Sequence, residues 1–311
     1  MASVKTGATP LLRRLSSFFY RHPRVKLSLL LAPGLALLLG VYGGSLGALL
    51  LQSLYRLEEF TGLVVREPGF QSIGQLGERA NLDIIVRTTV MAAAVTVGCA
   101  AIAFPLAYYM AKLASPRMRS LLYVLVLMPL WSSYLVRVIS WKLILAKDGI
   151  FTWFVDRLGL GGALDFVLGA PVIGGPSISQ SLFGMWIVFV YTWLPFMILP
   201  LEASLERVPD SLTEASEDLG GRPRATFRRV ILPLALPGLI AGSIFTFSLT
   251  LGDFIIPTII GNSTFFIGPV VLLQQGTAGN LPLAAAFSLV PIVIMTTYLL
   301  LAKRAGAFEA L

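Results

Sequence analysis

Six apolar runs divide the chain, at residues 27–51, 88–110, 120–139, 182–201, 234–256 and 283–301. Each is close to the roughly 20 residues that a helix needs to cross the hydrocarbon core of a bilayer. The pattern predicts an all-α integral membrane protein with six transmembrane helices. The run at 27–51 is too long for the apolar region of a secretory leader and ends without a convincing cleavage site, so it reads as the first span. Pro33, Pro105, Pro129, Pro195, Pro237, Pro257 and Pro291 fall in or at the ends of these runs. Such prolines are tolerated where neighbouring helices or a cavity satisfy the freed carbonyls.

The polar intervals are unequal. Residues 210–233 form the most structured of them, a charged stretch between two apolar runs. Ser211 with Glu214 three residues on forms a capping-box pattern, and Leu212, Ala215 and Leu219 share one helical face. Gly220 and Gly221 follow, where a left-handed residue ends a helix, and Pro223 stands where a second would begin. Phe227, Val230 and Ile231 give that second helix an apolar side, while Arg222, Arg224, Arg228 and Arg229 stay in water. The interval therefore predicts two short helices and a hinge that present a surface. The intervals 54–83 and 141–180 are long and predict short helices over one end of the bundle.

Composition agrees with the pattern. The 311 residues are 56% hydrophobic and 13% charged, against about 25% charged in a soluble domain. The net charge of +8 would suit a nucleic-acid binder, but the cations alternate with apolar runs. Sixteen Lys and Arg lie in the intervals of one parity and seven in the other, with Arg87 at a boundary. Because cationic loops stay in the cytoplasm, both termini and the 210–233 interval are expected there. Residues 1–26 form a basic cytoplasmic tail against anionic headgroups, with Phe18, Phe19 and Tyr20 at the interface. Residues 27–304 form the transmembrane domain and 305–311 a short tail. One cysteine, Cys99, and one histidine, His22, exclude a disulfide framework and a thiolate metal site. No phosphate-binding Gly-x-x-x-x-Gly-Lys-Ser/Thr stretch and no nucleophile-base pair is present. The chain is therefore expected to be non-catalytic, with no cofactor or metal of its own.

Glu214-Ala215-Ser216, then Gly220 after three residues, then Val230-Ile231-Leu232-Pro233 after nine more, resembles the EAA loop of ABC-importer permeases. Ser216 replaces the second alanine of that pattern and Val230 an isoleucine. The resemblance implies a MetI-like, type I importer fold with its coupling loop at 205–232. It implies that Glu214, Ala215, Ser216, Leu219, Gly220, Arg222 and Pro223 dock on a cytoplasmic ABC ATPase dimer, where ATP and Mg are bound. It also implies a second permease subunit and an extracytoplasmic substrate-binding protein, in a prokaryotic inner membrane.

One ionisable residue stands out in a span: Asp253, between Gly252 and Pro257. A carboxylate at membrane depth costs about 2.5–3.5 kcal/mol on insertion scales, so it faces a cavity or a partner. With Phe254 beside it, and Trp131, Tyr134 and Tyr191 from other spans, it would suit an organic cation through ion pairing and cation–π contact. The competing reading is that Asp253 caps a helix end or pairs with Arg137. Gly252-Asp253-Phe254-Ile255-Ile256-Pro257, Ile260-Gly261-Asn262 and Met128-Pro129-Leu130-Trp131 resemble permeases of spermidine/putrescine importers, the PotB-like branch. That resemblance implies a polyamine cargo and a PotC-like partner. Ferric iron, phosphonate and opine-like solutes remain as rival cargoes, and a channel or membrane enzyme not driven by ATP as a rival class.

Overall fold

The computed structural model describes residues 20–58, 60–261 and 266–304. Residues 1–19 of the basic tail, Asn262 and the 305–311 tail lie outside the described residues. Two compact units are distinguished, residues 1–52 and 53–311.

The described part of the first unit lies almost wholly in one helix, α1 (Pro23–Ser53), whose last residue already belongs to the second unit. Pro23 sits in its first turn, where a missing N–H costs nothing. A π-helical turn at Leu38–Gly43 interrupts it among glycines. Its side chains are apolar on every side, as a helix meant for lipid or for other helices must be.

The second unit begins with an antiparallel hairpin, β1 (Arg56–Leu57) and β2 (Val64–Val65), where only helix was expected. A helical turn, α2 (Gln71–Gln75), leads into α3 (Arg79–Leu113). Next come α4 (Pro116–Trp131) and α5 (Tyr134–Ile144), then the short α6 (Ile150–Arg157) and α7 (Gly161–Leu168). The central helix is α8 (Leu182–Glu206), followed by α9 (Asp210–Asp218) and α10 (Pro223–Leu251). The chain closes with α11 (Ile255–Ile259), α12 (Ile267–Gln275) and α13 (Leu281–Arg304). Among the described residues five helices are long and apolar enough to cross a membrane, or six where the bent pair α4–α5 is counted as one span.

The core lies where α3, α8 and α10 meet. Val95, Cys99, Ala103 and Ala107 recur every fourth residue on α3 and are fully buried against the α8 cluster of Met185, Phe189, Met197 and Leu201. With no hydrophobic drive between helices in lipid, close packing through small residues holds such a bundle. Gly242 of α10 shows how close: a Cβ there would lie 2.7 Å from the Met197 sulfur and 3.0 Å from its Cα.

The third span is not one helix. The chain turns by 97° between α4 and α5, at the extended residues Ser132 and Ser133. Pro105, Pro195, Pro237 and Pro291 all sit inside continuous helices, so proline alone does not break these spans. What distinguishes this break is Arg137, buried on α5. Its guanidinium donates to the carbonyls of Pro129 and Ser132 and, at 3.3 Å, to the Ser132 hydroxyl. The carbonyls freed by the bend are thus satisfied from within the protein. The fifth span is shorter than its apolar run suggests. It ends at Leu251, and Ile255 and Ile256 belong to α11.

Candidate functional site

Two regions concentrate polar chemistry. The first is the 210–231 segment. The helix α9 starts two residues earlier than the capping-box pattern requires. Pro209 is its extended N-cap residue, with no side-chain cap, and Ser211 falls inside the first turn. Asp210 supplies the negative charge that the helix start favours. The other end is as predicted. Gly220 has φ 76°, its N–H donates to Glu217 and that of Gly221 to Ser216, both at 2.8 Å. This paired pattern closes a helix through a left-handed residue.

The second helix is not separate. Arg222 caps it, Pro223 opens it, and it runs on as α10 into the membrane through a π-helical turn at Phe227–Ile231. Ile231 is buried, Val230 is half-buried, and the Phe227 ring meets Phe104 edge-on at 5.4 Å. Ser216, the departure from the EAA pattern, hydrogen-bonds the buried Thr226 hydroxyl at 2.8 Å and ties α9 to the start of α10. Glu214, Ala215, Leu219, Arg222 and Pro223 are exposed. Leu219 is 89% exposed, an apolar side chain held out at the tip of the segment.

Beneath this segment lies a charge lattice that the sequence reading did not single out. Glu202, 2% exposed, accepts from Arg119 at 2.6 Å and from the Tyr123 hydroxyl, and Arg119 also pairs with Glu206. Lys112 donates to the Val208 carbonyl at 2.5 Å and to Asp210 at 2.8 Å. The available signal was Glu202 and Glu206, two acids four residues apart on one helical face at the end of an apolar run.

The second region surrounds Asp253, in the turn between α10 and α11. Its Oδ1 accepts the Ile256 N–H at 2.9 Å, so it caps α11, and its Oδ2 accepts the Tyr134 hydroxyl. Tyr134 stacks on Trp193 at 5.7 Å. Together with Ser248, Gly252 and Phe254 these side chains line an open cavity of about 290 Å³. The expected aromatic set is therefore only partly assembled. Tyr134 and Phe254 are present, while Trp131 is 77% exposed at the end of α4 and Tyr191 packs against Trp141 at 4.9 Å. Neither of those two lines the cavity. Trp193 takes their place. It had no distinguishing signal, since a tryptophan within an apolar run reads as core. Its buried indole N–H has no hydrogen-bond partner among the described residues. Arg137 serves the α4–α5 bend and does not pair with Asp253.

An ionised carboxylate offers about four lone-pair positions. The Ile256 and Ile255 N–H groups and the Tyr134 hydroxyl engage Asp253, which still leaves acceptor capacity beside the aromatic faces. Among the described residues no cation pairs with it, and no group of three or more His, Cys, Asp or Glu is placed to hold a metal.

The family model described as binding-protein-dependent transport system inner membrane component matches residues 103–306. The Escherichia coli K12 protein named inner membrane ABC transporter permease protein YdcU is 50% identical over 311 residues, covering 100% of this chain and 99% of its own. The spermidine/putrescine transport system permease protein PotB of the same organism is 31% identical over 225 residues, 72% of this chain and 78% of that one. Among solved structures, a bacterial ABC transporter involved in import of the acidic polysaccharide alginate matches with a TM-score of 0.68 at 15% identity. It covers 94% of this chain and 99% of that chain, a likeness of fold.

Proposed function

The chain belongs to the binding-protein-dependent transport system inner membrane components, and on that premise we propose that it forms part of the translocation path for a polyamine. It is the multi-pass, non-catalytic membrane subunit of an ABC importer. In the proposed assembly it pairs with a second, PotC-like permease. An extracytoplasmic binding protein delivers cargo, and a cytoplasmic ATPase dimer that carries the ATP and Mg drives the cycle. Both termini face the cytoplasm, in keeping with the sixteen-to-seven distribution of Lys and Arg. The surface of Glu214, Ala215, Leu219, Gly220 and Arg222 then docks on the ATPase.

The observation that carries the cargo reading is the cavity of Asp253, Tyr134, Trp193 and Phe254. A protonated amine gains from the carboxylate and from each ring face, at about 0.5–2 kcal/mol per cation–π contact. Each contact is modest, which suits a path that must release what it binds. The 31% identity to a protein named as a spermidine/putrescine permease points the same way. An oxyanion would want an unengaged cation here, and Arg137, the cation near the span, is committed to carbonyls.

The deciding experiment measures ATP hydrolysis and uptake by the complete complex in lipid. The binding protein is loaded with spermidine, putrescine or a phosphonate, and Asp253→Asn and Glu214→Ala are compared with wild type. Asparagine can still cap α11, so Asp253→Asn removes charge with little change of structure. Spermidine should stimulate hydrolysis, Asp253→Asn should cut polyamine uptake about tenfold, the equivalent of one 1.4 kcal/mol contact, and Glu214→Ala should leave hydrolysis uncoupled from uptake. Stimulation by the phosphonate alone would sink the polyamine reading.

A further inference from the structure

We infer that Lys112 is a positioning residue for coupling, an ammonium that locks the end of α3 to both the link that follows α8 and the start of α9. A displacement of α9 then moves the spans rather than bending the loop. The inference rests on the reading of residues 210–231 as the coupling segment. Its own ground is geometric. Lys112 lies in the π-helical turn Tyr109–Leu113 that ends α3. A π turn adds one residue to the helix and so rotates the residues beyond it by about 100° around the axis. In this setting Nζ reaches the Val208 carbonyl at 2.5 Å and Asp210 Oδ1 at 2.8 Å. The side chain of Lys112 is 15% exposed although that of Asp210 is 80% exposed.

The contacts have a common logic. The Val208 carbonyl, in the short link after α8 ends at Glu206, and the Asp210 carboxylate in the first turn of α9 both present negative potential, and an ammonium has three donors to offer them. One cation on α3 thus holds both the α8–α9 link, at Val208, and the first residue of α9, at Asp210. The neighbouring pairs of Arg119 with Glu202 and Glu206 tie α4 to α8 and stop there. Only the Lys112 pair, among the ion pairs of the described residues, continues onto α9. The Ser216–Thr226 bond fixes the far end of α9 to α10. The segment is therefore held at both ends, to α3 at Asp210 and to α10 at Ser216, and a rigid link of this kind transmits displacement.

The test needs no knowledge of the cargo. Cys99 is buried and is the sole cysteine of the chain, so a Cys99→Ser background carrying Ser248→Cys reports on the cavity through its rate of maleimide labelling. In the assembled complex in lipid, ATP with vanadate should change that rate about fivefold, the lower end of typical coupling between sites. In Lys112→Met the change should fall to less than twofold while ATP hydrolysis persists, and Lys112→Arg should restore it. Asp210→Asn, at an exposed position that leaves folding intact, should show a partial loss. A full response in Lys112→Met overturns the inference. So does a Lys112→Met complex that fails to assemble while Asp210→Asn responds fully, since Lys112 is then a structural cap. Glu214→Ala and Leu219→Ala separate this failure from that of the underlying reading. If they abolish the response and Lys112→Met does not, only the role of Lys112 falls. If they too respond fully, residues 210–231 are not the coupling segment.

Discussion

Glu202 and Asp253 are both carboxylates drawn out of water, and they are held in opposite ways. Glu202 sits in the last turns of α8 with a counter-charge beside it, Arg119 at 2.6 Å, and a tyrosine hydroxyl on its other oxygen. Among the described residues Asp253 is held by neutral donors, including the Tyr134 hydroxyl and the Ile256 N–H. A buried ion pair offsets its own desolvation and has little left for a third party. A carboxylate held by neutral donors keeps its net charge while its geometry is fixed. On the proposed function, the difference separates an acid that maintains the bundle from one that attracts a mobile cation.

The comparison can be broken most forcefully at Arg119. Arg119→Met strands Glu202 without its cation, a change that costs about 3–5 kcal/mol at buried pairs. Because Arg119 is 29% exposed, the lower part of that range is expected. The thermal midpoint of the purified complex should fall accordingly, and Glu202→Leu added to Arg119→Met should recover most of the loss. An unchanged midpoint would mean that Glu202 is not held by charge. Next comes Tyr134→Phe, which takes one donor from Asp253 and costs about 1.5–3 kcal/mol, as for hydrogen bonds to charged groups. It should lower the midpoint but spare preference for polyamine over phosphonate in competition uptake, whereas Asp253→Asn should erase that preference. Loss of selectivity in Tyr134→Phe would assign the recognition to the phenol instead. Smaller again is Gly220→Ala, which forces a side chain into the left-handed region at about 1–2 kcal/mol. It should weaken ATPase retention on co-purification without touching the cavity. The least is Ser216→Ala, which restores the family residue at the loss of one partly exposed hydrogen bond, about 0.5–1 kcal/mol. Ordinary coupling with a slightly earlier melt is the outcome there.

Much of this architecture could be read in advance, because long apolar runs and the positions of Gly220 and Pro223 state their local rules directly. Asp253 was legible for the same reason, as a lone acid in apolar surroundings. What escaped was set by tertiary contact. The α4–α5 bend depends on Arg137 reaching back to Pro129, and Pro129 in sequence looks no different from the prolines that leave helices intact. Arg119 and Tyr123 meet Glu202 across 83 and 79 positions, and Lys112 meets Asp210 across 98, so no local pattern announces them. Trp193 replaced Trp131 and Tyr191 at the cavity because the bend turns Tyr134 onto α8 and leaves Trp131 outside. The capping box at Ser211 failed because Pro209 already fixes where α9 starts.

Leu219, bare at the tip of its turn, also bears on biosynthesis. A copy made ahead of its ATPase carries that leucine into the aqueous phase with the arginines of α10 beside it. Such a copy is a natural substrate for the chaperones and proteases that survey orphan subunits. Trypsin cleavage after Arg224 should therefore be rapid when the permease is produced alone and slow when the ATPase is supplied with it. Equal rates would mean that nothing covers the tip.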